Sequence, residues 1–270
     1  MIEHMIGRLV TLWALLASIC SAEYATFTKT GSGKKPGGLL ALLGADECRI
    51  DAHFFRDAEA GLCVVDEGDG SPRYGTLEAA MKQTQCVAGV NGGYFGAGAA
   101  RPPIGLVRHA GKTISPLGTK GFTVAGVVYD TGSSVRLERS ARASTAVQNM
   151  REAIQGGPFL IDQGKVVAGL EKQKKAARTF IATDGKGRWC VAVSSPLSLH
   201  ELACWLAEPG ALGAFRVQSA LNLDGGSSCA FWDVEAGVNM PGFKAVRNYV
   251  GVRPRRAVNA AGRSNTPPAK

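Results

Sequence analysis

The residues with the clearest chemical potential lie in one stretch, 221–232, which reads LNLDGGSSCAFW. Its apolar start predicts a strand that ends at Asn222 and Asp224, directly before the pair Gly225-Gly226. Adjacent glycines let the backbone adopt positive φ and let a ligand approach the main chain closely. The pair Ser227-Ser228 adds hydroxyl groups and amides beyond the carboxylate. We therefore predict a site at this strand end, with a plain β-turn as the alternative, because Asp-Gly is also a strong hairpin signal.

A second stretch repeats this arrangement. Residues 90–95 read VNGGYF, so an apolar strand again runs into Asn91, the pair Gly92-Gly93 and Tyr94. A third glycine pair, Gly156-Gly157, lies in a QGGP segment. Two strand ends of the same kind in one chain predict a shared cleft. The asparagines there would orient sugar hydroxyls or hydrogen-bond donors, although as plain turn residues they need no ligand.

Short strands and a few helices must position these residues. Two helices begin at capping residues: Thr76 precedes LEAAMKQ, and Ser198 with Glu201 forms an S-x-x-E capping box. A further short helix is predicted over AVQNMREAI, residues 146–154. We expect an α/β (α+β) class fold with a mixed, mostly antiparallel sheet, packed helices and a single domain. Alternation and turn residues predict strands at Cys48–Phe55, Gly61–Val65, Cys86–Val90, Ile104–Val107, Gly121–Tyr129, 159–161, Arg178–Thr183, Arg188–Val193, 217–223, Cys229–Trp232 and Asn248–Val252.

The chain begins with a segment typical of a secretory signal. Arg8 precedes an apolar run at 9–20, and small residues follow up to Ala22, after which we expect cleavage. The run is shorter than the roughly 20 residues of a membrane span, and an uncleaved anchor or a lipid-modified Cys20 are the alternatives. We predict a secreted, periplasmic protein without a stable membrane span after cleavage. The expected order is a signal at 1–22, a flexible mature N-terminus at 23–45, a folded domain at 46–252 and a disordered basic tail at 253–270.

Cysteine usage agrees with export to an oxidising compartment. No pair has the two-residue spacing of a zinc knuckle, so neither a metal nor another cofactor is expected. Cys48 with Cys63 is the favoured local disulfide because the two flank a predicted hairpin. Loss of Cys20 with the signal leaves an even number of cysteines, which predicts disulfides. These cysteines are Cys48, Cys63, Cys86, Cys190, Cys204 and Cys229.

The formal net charge is +9, and much of it is concentrated in residues 165–178 and in the tail after Val252. A basic surface favours an anionic partner, such as nucleic acid, an anionic envelope polymer or a phosphate-bearing substrate, and simple solvated charge is the alternative. Since the chain has an export signal and no nucleic-acid motif, we do not expect a nucleic-acid partner. The sequence does not predict the oligomeric state.

Four segments in this order resemble the phosphodiester glycosidase family: Asn91-Gly92-Gly93-Tyr94-Phe95, Gln155-Gly156-Gly157-Pro158, Arg178-Thr179 and Asn222-Leu223-Asp224-Gly225-Gly226-Ser227-Ser228. The resemblance covers roughly residues 45–252 and implies hydrolysis of a glycosyl phosphodiester. Family members commonly read N-L-D-G-G-G-S, so one glycine is missing here before Ser227. Asp224, Arg178 and Asn222 would be catalytic. The substrate-binding residues implied are Asn91, Gly92, Gly93, Tyr94, Gly156, Gly157, Thr179, Gly225, Gly226, Ser227 and Ser228.

These residue types suit that chemistry. Cleavage at the anomeric carbon builds positive charge on the sugar ring and negative charge on the departing phosphate. Asp224 can stabilise the first charge and Arg178 the second, because a guanidinium group matches phosphate oxygens, although an arginine at a strand start is also a common surface ion-pair partner. The glycine turns are expected to add backbone N–H donors around the anion.

Ordinary glycosidases use two carboxyl groups, but a phosphate ester leaves more easily and needs less help from an acid. Asp184 and Glu152 are the candidates for a second carboxylate. A serine triad is not expected, since no G-x-S-x-G segment is present and the four histidines are scattered. The leading function is therefore hydrolysis of a glycosyl phosphodiester in envelope or exopolysaccharide material. The alternatives are a non-catalytic module that binds anionic glycans and a hydrolase of another phosphorylated substrate.

Overall fold

The computed structural model describes residues 23–30 and 47–255. The predicted signal at 1–22 and nearly all of the predicted tail lie outside these residues. The described α-helices are α1 (Leu77–Gln83), α2 (Ser140–Ala143) and α3 (Leu199–Ala207). The described strands are β1 (Glu23–Thr30), β2 (Glu47–Arg56), β3 (Ala60–Asp66), β4 (Ala88–Asn91), β5 (Val107–His109), β6 (Lys112–Ser115), β7 (Gly126–Asp130), β8 (Val135–Arg139), β9 (Glu152–Gly156), β10 (Phe159–Asp162), β11 (Lys165–Val166), β12 (Ala176–Thr183), β13 (Arg188–Leu197), β14 (Ser219–Asn222), β15 (Phe231–Asp233), β16 (Val238–Met240) and β17 (Asn248–Pro254).

The described strands form three sheets. Sheet A has seven strands in the order β1-β2-β13-β12-β14-β10-β11. Sheet B has the order β16-β15-β4-β17-β3, and sheet C has the order β6-β5-β9-β7-β8. Neighbouring strands are antiparallel in each of these ladders. The fold is therefore predominantly β, and the expected α/β class with packed helices is correct only in its mostly antiparallel pairing.

One apolar core connects the three sheets. Its fully buried members include Val191 from sheet A, Val90 from sheet B and Ile154 from sheet C, together with Phe159 and Phe231. A second cluster lies between sheet A and α3, whose buried face carries Leu202, Ala203 and Leu206. Burial of large apolar side chains is the main force that holds sheets together. The turns that leave the ends of these strands are consequently held in fixed relative positions.

Local signals explain the two longer helices. The Thr76 side chain accepts a hydrogen bond from the Ala79 amide and caps α1. Ser198 and Glu201 form the predicted capping box at the start of α3, each side chain bonding to the backbone of the other. Such reciprocal caps satisfy amides that the first helical turn leaves free. These helix starts were readable from sequence because the contacts that fix them span only three residues.

Other segments differ from the prediction. The helix expected over 146–154 is absent: residues Val147–Asn149 form a 3-10 turn, and Glu152–Gly156 forms β9 in the middle of sheet C. All five residues of β9 are buried between β5 and β7, so sheet packing overrides the helical pattern. The strand expected at Gly121–Tyr129 begins as a 3-10 turn, Phe122–Val124.

The start of the expected flexible N-terminus, 23–45, is also a strand in the structure. β1 pairs with β2 along its whole length, from Glu23 opposite Phe54 to Thr30 opposite Glu47. The Tyr24 and Thr26 hydroxyl groups both donate to Asp51, each at 2.7 Å. At the other end of the domain, β17 runs to Pro254 rather than ending at the expected tail boundary.

The cysteines of the described residues are all present as thiols. Cys48 packs against the cluster between sheet A and α3, whereas Cys63 is buried in a different cluster beside α1. The expected local disulfide between Cys48 and Cys63 is therefore wrong, because the side chain of Cys63 contacts that of Cys86 instead. Within the described part of the chain, no helix is long and apolar enough to cross a membrane.

Candidate active site where three sheets meet

Three turns that leave different strands converge at one place. The Asp224 amide, just after β14, donates to the Gly92 carbonyl oxygen after β4, at 3.2 Å. The Gly157 amide, just after β9, donates to the Asn222 carbonyl oxygen at 2.8 Å. These main-chain bonds bring the two Asn-containing strand ends and the QGGP turn together from sheets A, B and C. Asp224 is thus not part of an isolated hairpin turn.

Asn91 is a buried brace rather than a ligand-facing residue. Its side chain is completely inaccessible to solvent, and its Nδ2 donates to the Asp224 carbonyl oxygen at 2.7 Å. Its Oδ1 accepts from the Thr179 hydroxyl at 2.6 Å and from the Ala230 amide at 3.1 Å. Thr179 is equally buried. Because these bonds use both polar atoms of Asn91 internally, the expected contact of Asn91 and Thr179 with substrate is replaced by a positioning role.

Asn222 and Tyr94 form the polar floor. Asn222 Nδ2 donates to the Tyr94 hydroxyl at 2.9 Å and to the Gly157 carbonyl oxygen at 3.1 Å. The Tyr94 hydroxyl in turn donates to the same carbonyl oxygen at 2.9 Å. Asn222 Oδ1 is buried and has no hydrogen-bond partner among the described residues. A buried acceptor without a donor is costly, and Oδ1 lies beneath the surface that a ligand meets, so Asn222 acts here mainly by holding Tyr94 and Gly157.

Asp224 is a partly buried carboxylate. Burial raises its pKa above the ordinary value of 3.8, whereas hydrogen bonds from Ser228 and the Gly225 amide and the positive charge of Lys244 lower it. The Gly225 amide lies 3.0 Å from Asp224 Oδ1. The two donors and the nearby cation favour the ionised carboxylate and oppose the effect of burial, and the ionised form is the one that stabilises positive charge.

Arg178 lies at the start of β12 with its guanidinium group anchored to the main chain. Nε donates to the Leu197 carbonyl oxygen at 2.9 Å and Nη2 to the Lys174 carbonyl oxygen at 2.7 Å. Burial lowers the pKa of Arg178, and electrostatic interactions with Tyr94 and Glu171 raise it. Among the residues that the structure describes, its hydrogen-bond partners are carbonyl groups and not a carboxylate, so its positive charge is available to an anion.

Tyr94 connects the opposite charges of the site. Burial raises the pKa of its hydroxyl well above the ordinary value, the charge of Asp224 raises it further, and the charge of Arg178 lowers it. The Asp224 carboxylate and the Arg178 guanidinium group are thus both within electrostatic range of one hydroxyl group. Tyr94 stays protonated at neutral pH and serves as a hydrogen-bond donor and acceptor rather than as a base.

The glycine pairs are needed for close packing and contribute fewer anion donors than expected. The amides of Gly92 and Gly93 both donate to Asn248, and the Gly157 amide is bonded to Asn222. A Cβ on Gly157 would overlap the Phe122 carbonyl oxygen, and one on Gly156 would lie 2.8 Å from the Asn222 carbonyl oxygen. The expectation that these turns surround an anion with free amides is therefore wrong for these three residues.

The turn at Gly226 differs from the closely packed glycine turns described above. Gly226 has φ of +63°, open space lies where its side chain would be, and a 3-10 turn follows at Gly226–Ser228. Gly225 packs tightly, since a Cβ there would lie 2.7 Å from the Ala177 carbonyl oxygen. Ser227 is exposed beside them, while Ser228 is buried. The exposed start of this turn, at Gly226 and Ser227, is the glycine-rich element that a ligand can approach.

The two residues considered for a second carboxylate lie elsewhere. Asp184 follows the far end of β12 and accepts hydrogen bonds from the Lys186 and Arg188 amides of a hairpin turn. Glu152 begins β9, on the opposite end of that strand from Gly156, and accepts from the Val64 and Ala110 amides. At about 3.3 Å per residue these positions are more than about 10 Å from the site. Neither is a partner for Asp224.

Lys244 and Phe122 are site residues that the sequence analysis missed. The charge of Lys244 lowers the pKa of Asp224, and its Nζ lies 5.0 Å from the centre of the Phe95 ring. The Phe122 ring centre lies 6.4 Å from that of Tyr94. Phe122 begins a 3-10 turn and Lys244 lies in an irregular loop, and neither belongs to a recognisable motif. The sequence alone shows only that Lys244 is a basic residue about twenty positions after Asp224.

Two surface depressions lie away from this site. One runs between β1 and the end of α3, beside Lys29, Trp205 and Glu208. The other lies between β8 and the β12–β13 hairpin, beside Arg136 and Lys186. Neither is lined by a residue of the Asp224 site. No group of His, Cys, Asp and Glu side chains in the described ranges has the arrangement of a metal site.

A protein-family model matches the part of the chain that contains these residues. The model of the phosphodiester glycosidase family matches residues 84–253, a range that contains Tyr94, Arg178 and Asp224. The chain therefore belongs to the phosphodiester glycosidase family. No curated protein matches the chain.

Solved structures show the same fold at low sequence identity. The catalytic domain of zebrafish N-acetylglucosamine-1-phosphodiester α-N-acetylglucosaminidase, auto-inhibited by its pro-peptide, is 13% identical, with a TM-score of 0.59. That similarity covers 86% of this chain and 83% of the zebrafish domain. A protein from Synechocystis is 18% identical with a TM-score of 0.56, over 78% of this chain. This chain covers 60% of the Synechocystis protein.

Proposed function

We propose that the protein is a hydrolase that cleaves the bond between a sugar and a phosphodiester. One observation carries this proposal: the partly buried Asp224 carboxylate and the Arg178 guanidinium group are both near enough to the Tyr94 hydroxyl to shift its pKa, in opposite directions. This arrangement supplies negative and positive charge at one small polar site. Membership in the phosphodiester glycosidase family supports the same reaction class.

The charges correspond to those that develop when the bond breaks. As the bond between the anomeric carbon and the phosphate oxygen lengthens, the ring becomes positive and the phosphate gains charge. The Asp224 carboxylate stabilises the ring, and Arg178 and Lys244 stabilise the phosphate. Water supplies the new hydroxyl group at the anomeric carbon, and its proton goes to solvent. The products are a free sugar and a phosphate monoester.

The floor of the site orients the sugar. The Tyr94 hydroxyl can both donate and accept hydrogen bonds, and Asn222 Nδ2 holds it at 2.9 Å. Acceptors and donors of this kind match sugar hydroxyl groups. Asn91 and Thr179 act through Asp224 by fixing its main chain. Gly226 and Ser227 are the turn residues that a phosphate oxygen can approach.

The location and the material acted on are also part of the proposal. An apolar run after Arg8 supports export, and the net charge of +9 supports an anionic substrate. We place the protein outside the cytoplasm, in the periplasm, acting on envelope or exopolysaccharide material that contains sugar phosphodiesters. The zebrafish relative is named for N-acetylglucosamine 1-phosphodiesters, and these are the first substrates to test.

A non-catalytic module that binds anionic glycans is the second function considered. It is favoured by one observation: of the three carboxylates considered, Asp224 lies at the site, whereas Asp184 and Glu152 serve hairpin and sheet contacts elsewhere. A binding module needs the cations and the polar floor but no carboxylate that acts in a transition state. Its affinity would fall with added salt as the basic surface is screened.

The experiment measures release of reducing sugar from a panel of glycosyl phosphodiesters by the wild type, Asp224→Asn and Arg178→Ala. If Asp224 stabilises charge that develops only in the transition state, Asp224→Asn removes most of kcat and leaves substrate binding nearly unchanged. Arg178→Ala weakens binding and turnover together, because its charge faces the phosphate in both states. Turnover that is unchanged in Asp224→Asn would remove this carboxylate from the mechanism. Binding without turnover across the panel would favour the binding module.

A further inference from the structure

Exposed apolar side chains are concentrated around the candidate site. The large hydrophobic residues of the described surface with high exposure are Ile104, Ile114, Phe122, Val234 and Phe243. Single exposed apolar residues are normal in soluble proteins, but a cluster of them marks a binding surface. The backbones of three of these residues contact segments of the site, so their distribution is not scattered.

Each of the three is held at the site by its main chain. The Ile104 amide donates to the Tyr94 carbonyl oxygen at 2.8 Å. The Phe243 amide donates to the Ser227 carbonyl oxygen at 2.9 Å. The Phe122 carbonyl oxygen packs against Gly157, and its ring centre lies 6.4 Å from the Tyr94 ring centre. The backbone positions are fixed by these contacts while the side chains remain free to meet a ligand.

The side chains themselves contribute little to the core. Phe243 is 94% exposed and Phe122 is 67% exposed, so most of each ring faces water. The local folding role of both residues is carried by main-chain atoms, which any residue would supply. The fold therefore does not require an aromatic side chain at either position, and covering such a side chain with a ligand would be favourable.

The polarity of the site changes from its floor to its mouth. The Tyr94 hydroxyl at the floor offers hydrogen bonds for a sugar. The cations Arg178 and Lys244 shift the pKa values of Tyr94 and Asp224 respectively, which places their charge near these two groups. Lys244 is the direct neighbour of Phe243 in sequence, so the positive charge adjoins the apolar surface. A substrate that follows this order has a sugar, then a phosphate, then an apolar group at the mouth.

We propose that Ile104, Phe122 and Phe243 form an apolar rim that binds the aglycone of the substrate, and that this aglycone is an apolar alcohol esterified to the phosphate. This inference rests on the proposed function, because it concerns the part of the substrate beyond the scissile phosphate. It makes the protein selective for glycosyl phosphodiesters with an aryl or long alkyl group over those with a small or polar group.

The test compares the methyl and benzyl diesters of N-acetylglucosamine 1-phosphate and uses the variants Phe122→Ser and Phe243→Ser. Val234→Ser is the matched control, since Val234 is also exposed but lies at the far end of β15, where its amide bonds to Val87. The wild type should prefer the benzyl diester in kcat/KM by about tenfold, the effect of burying one large apolar group. Each Phe→Ser variant should lose most of this preference, whereas Val234→Ser should keep it.

Binding of both diesters to the Asp224→Asn variant, measured by calorimetry, separates the rim from the catalytic proposal. Benzyl over methyl selectivity in binding that disappears in Phe243→Ser supports the rim even if no diester is turned over. Equal binding and equal turnover of the two diesters would overturn the rim, and hydrolysis of both would leave the catalytic proposal intact. Selectivity that persists in both Phe→Ser variants would also overturn it.

Discussion

Asn91 Nδ2 donates a 2.7 Å hydrogen bond to the carbonyl oxygen of Asp224, a residue 133 positions later in the chain. Asn91 is the last residue of a short strand in sheet B, and Asp224 lies two residues after a short strand in sheet A. The bond fixes the main chain of the candidate catalytic residue, and Oδ1 of the same asparagine binds Thr179 and Ala230. One buried amide thereby sets the direction in which the Asp224 side chain leaves the backbone.

Replacement of this brace should cost both stability and activity. Asn91→Ala leaves the Thr179 hydroxyl, the Ala230 amide and the Asp224 carbonyl without their partner, and we expect a loss of about 3 kcal/mol in the free energy of unfolding. Chemical denaturation measures this. Asn239→Ala is the control, because Asn239 makes one exposed bond to Glu78, and its effect should be within about 0.5 kcal/mol of zero. Equal stability of Asn91→Ala and the control would contradict the bracing role.

Lys244 should set the acid limb of the pH profile. Burial raises the pKa of Asp224 above 3.8 and the Lys244 charge lowers it, so the removal of that charge must raise it further. Activity that requires the ionised carboxylate is lost as pH falls through this pKa. The midpoint of the acid limb of kcat/KM should therefore move to higher pH in Lys244→Ala. Lys186→Ala, in the distant hairpin between β12 and β13, should not move it, and an unshifted limb in Lys244→Ala would refute the coupling.

The buried carboxylate should also reduce stability at neutral pH. A folded-state pKa raised above the unfolded value means that stability falls as pH rises from the unfolded pKa through the folded one. Asp224→Asn removes this dependence. The variant should be more stable than the wild type at about pH 7, and the difference should shrink at about pH 4. Denaturation curves at both pH values measure it, and a difference that grows on acidification would show the opposite sign.

Cys63 and Cys86 are expected to form a disulfide under oxidising conditions. Their side chains are in contact, and the Cys63 sulfur also lies 3.1 Å from Arg253 Nη2. Exchange with oxidised glutathione would take one hydrogen from each thiol, join the two sulfurs and release two reduced glutathione molecules. The bond should stabilise the fold by roughly 3 kcal/mol. Mass spectrometry of an unreduced digest should find the joined peptides.

The cysteine count makes this prediction specific. Of the six described thiols, the loss of two leaves four that react in the denatured, unreduced protein. Cys86→Ser should remove the difference in stability between oxidised and reduced protein, whereas Cys204→Ser, at an exposed position of α3, should leave it. Six reactive thiols after oxidation would exclude the bond.

Sequence reasoning succeeded where the deciding contacts are local. The Ser198 capping box and the hairpin turn at Asp184 depend on residues at most four positions apart. The strands that end in Asn91 and Asn222 were visible as apolar runs followed by turn residues. That both would approach one site was inferred from their similarity, and the structure places Asp224 next to Gly92.

The roles of the individual residues were not readable in the same way. Asn91 and Asn222 have the same sequence context, yet the first is fully bonded inside the protein and the second has a free acceptor. The difference depends on partners more than sixty residues away. Glu152 was misplaced for a similar reason, because only pairing with β5 and β7 makes its segment a strand. Long-range pairing of this kind leaves no local periodicity to detect.

The convergence of three sheets on one site has a consequence for thermal inactivation. Tyr94, Gly157 and Asn222 are bonded to each other but lie in turns that leave sheets B, C and A. Separation of any sheet from the shared core would dismantle the whole arrangement. Activity should accordingly be lost together with the cooperative melting of the domain. We expect no earlier phase in which the active site unfolds while the rest of the domain stays folded.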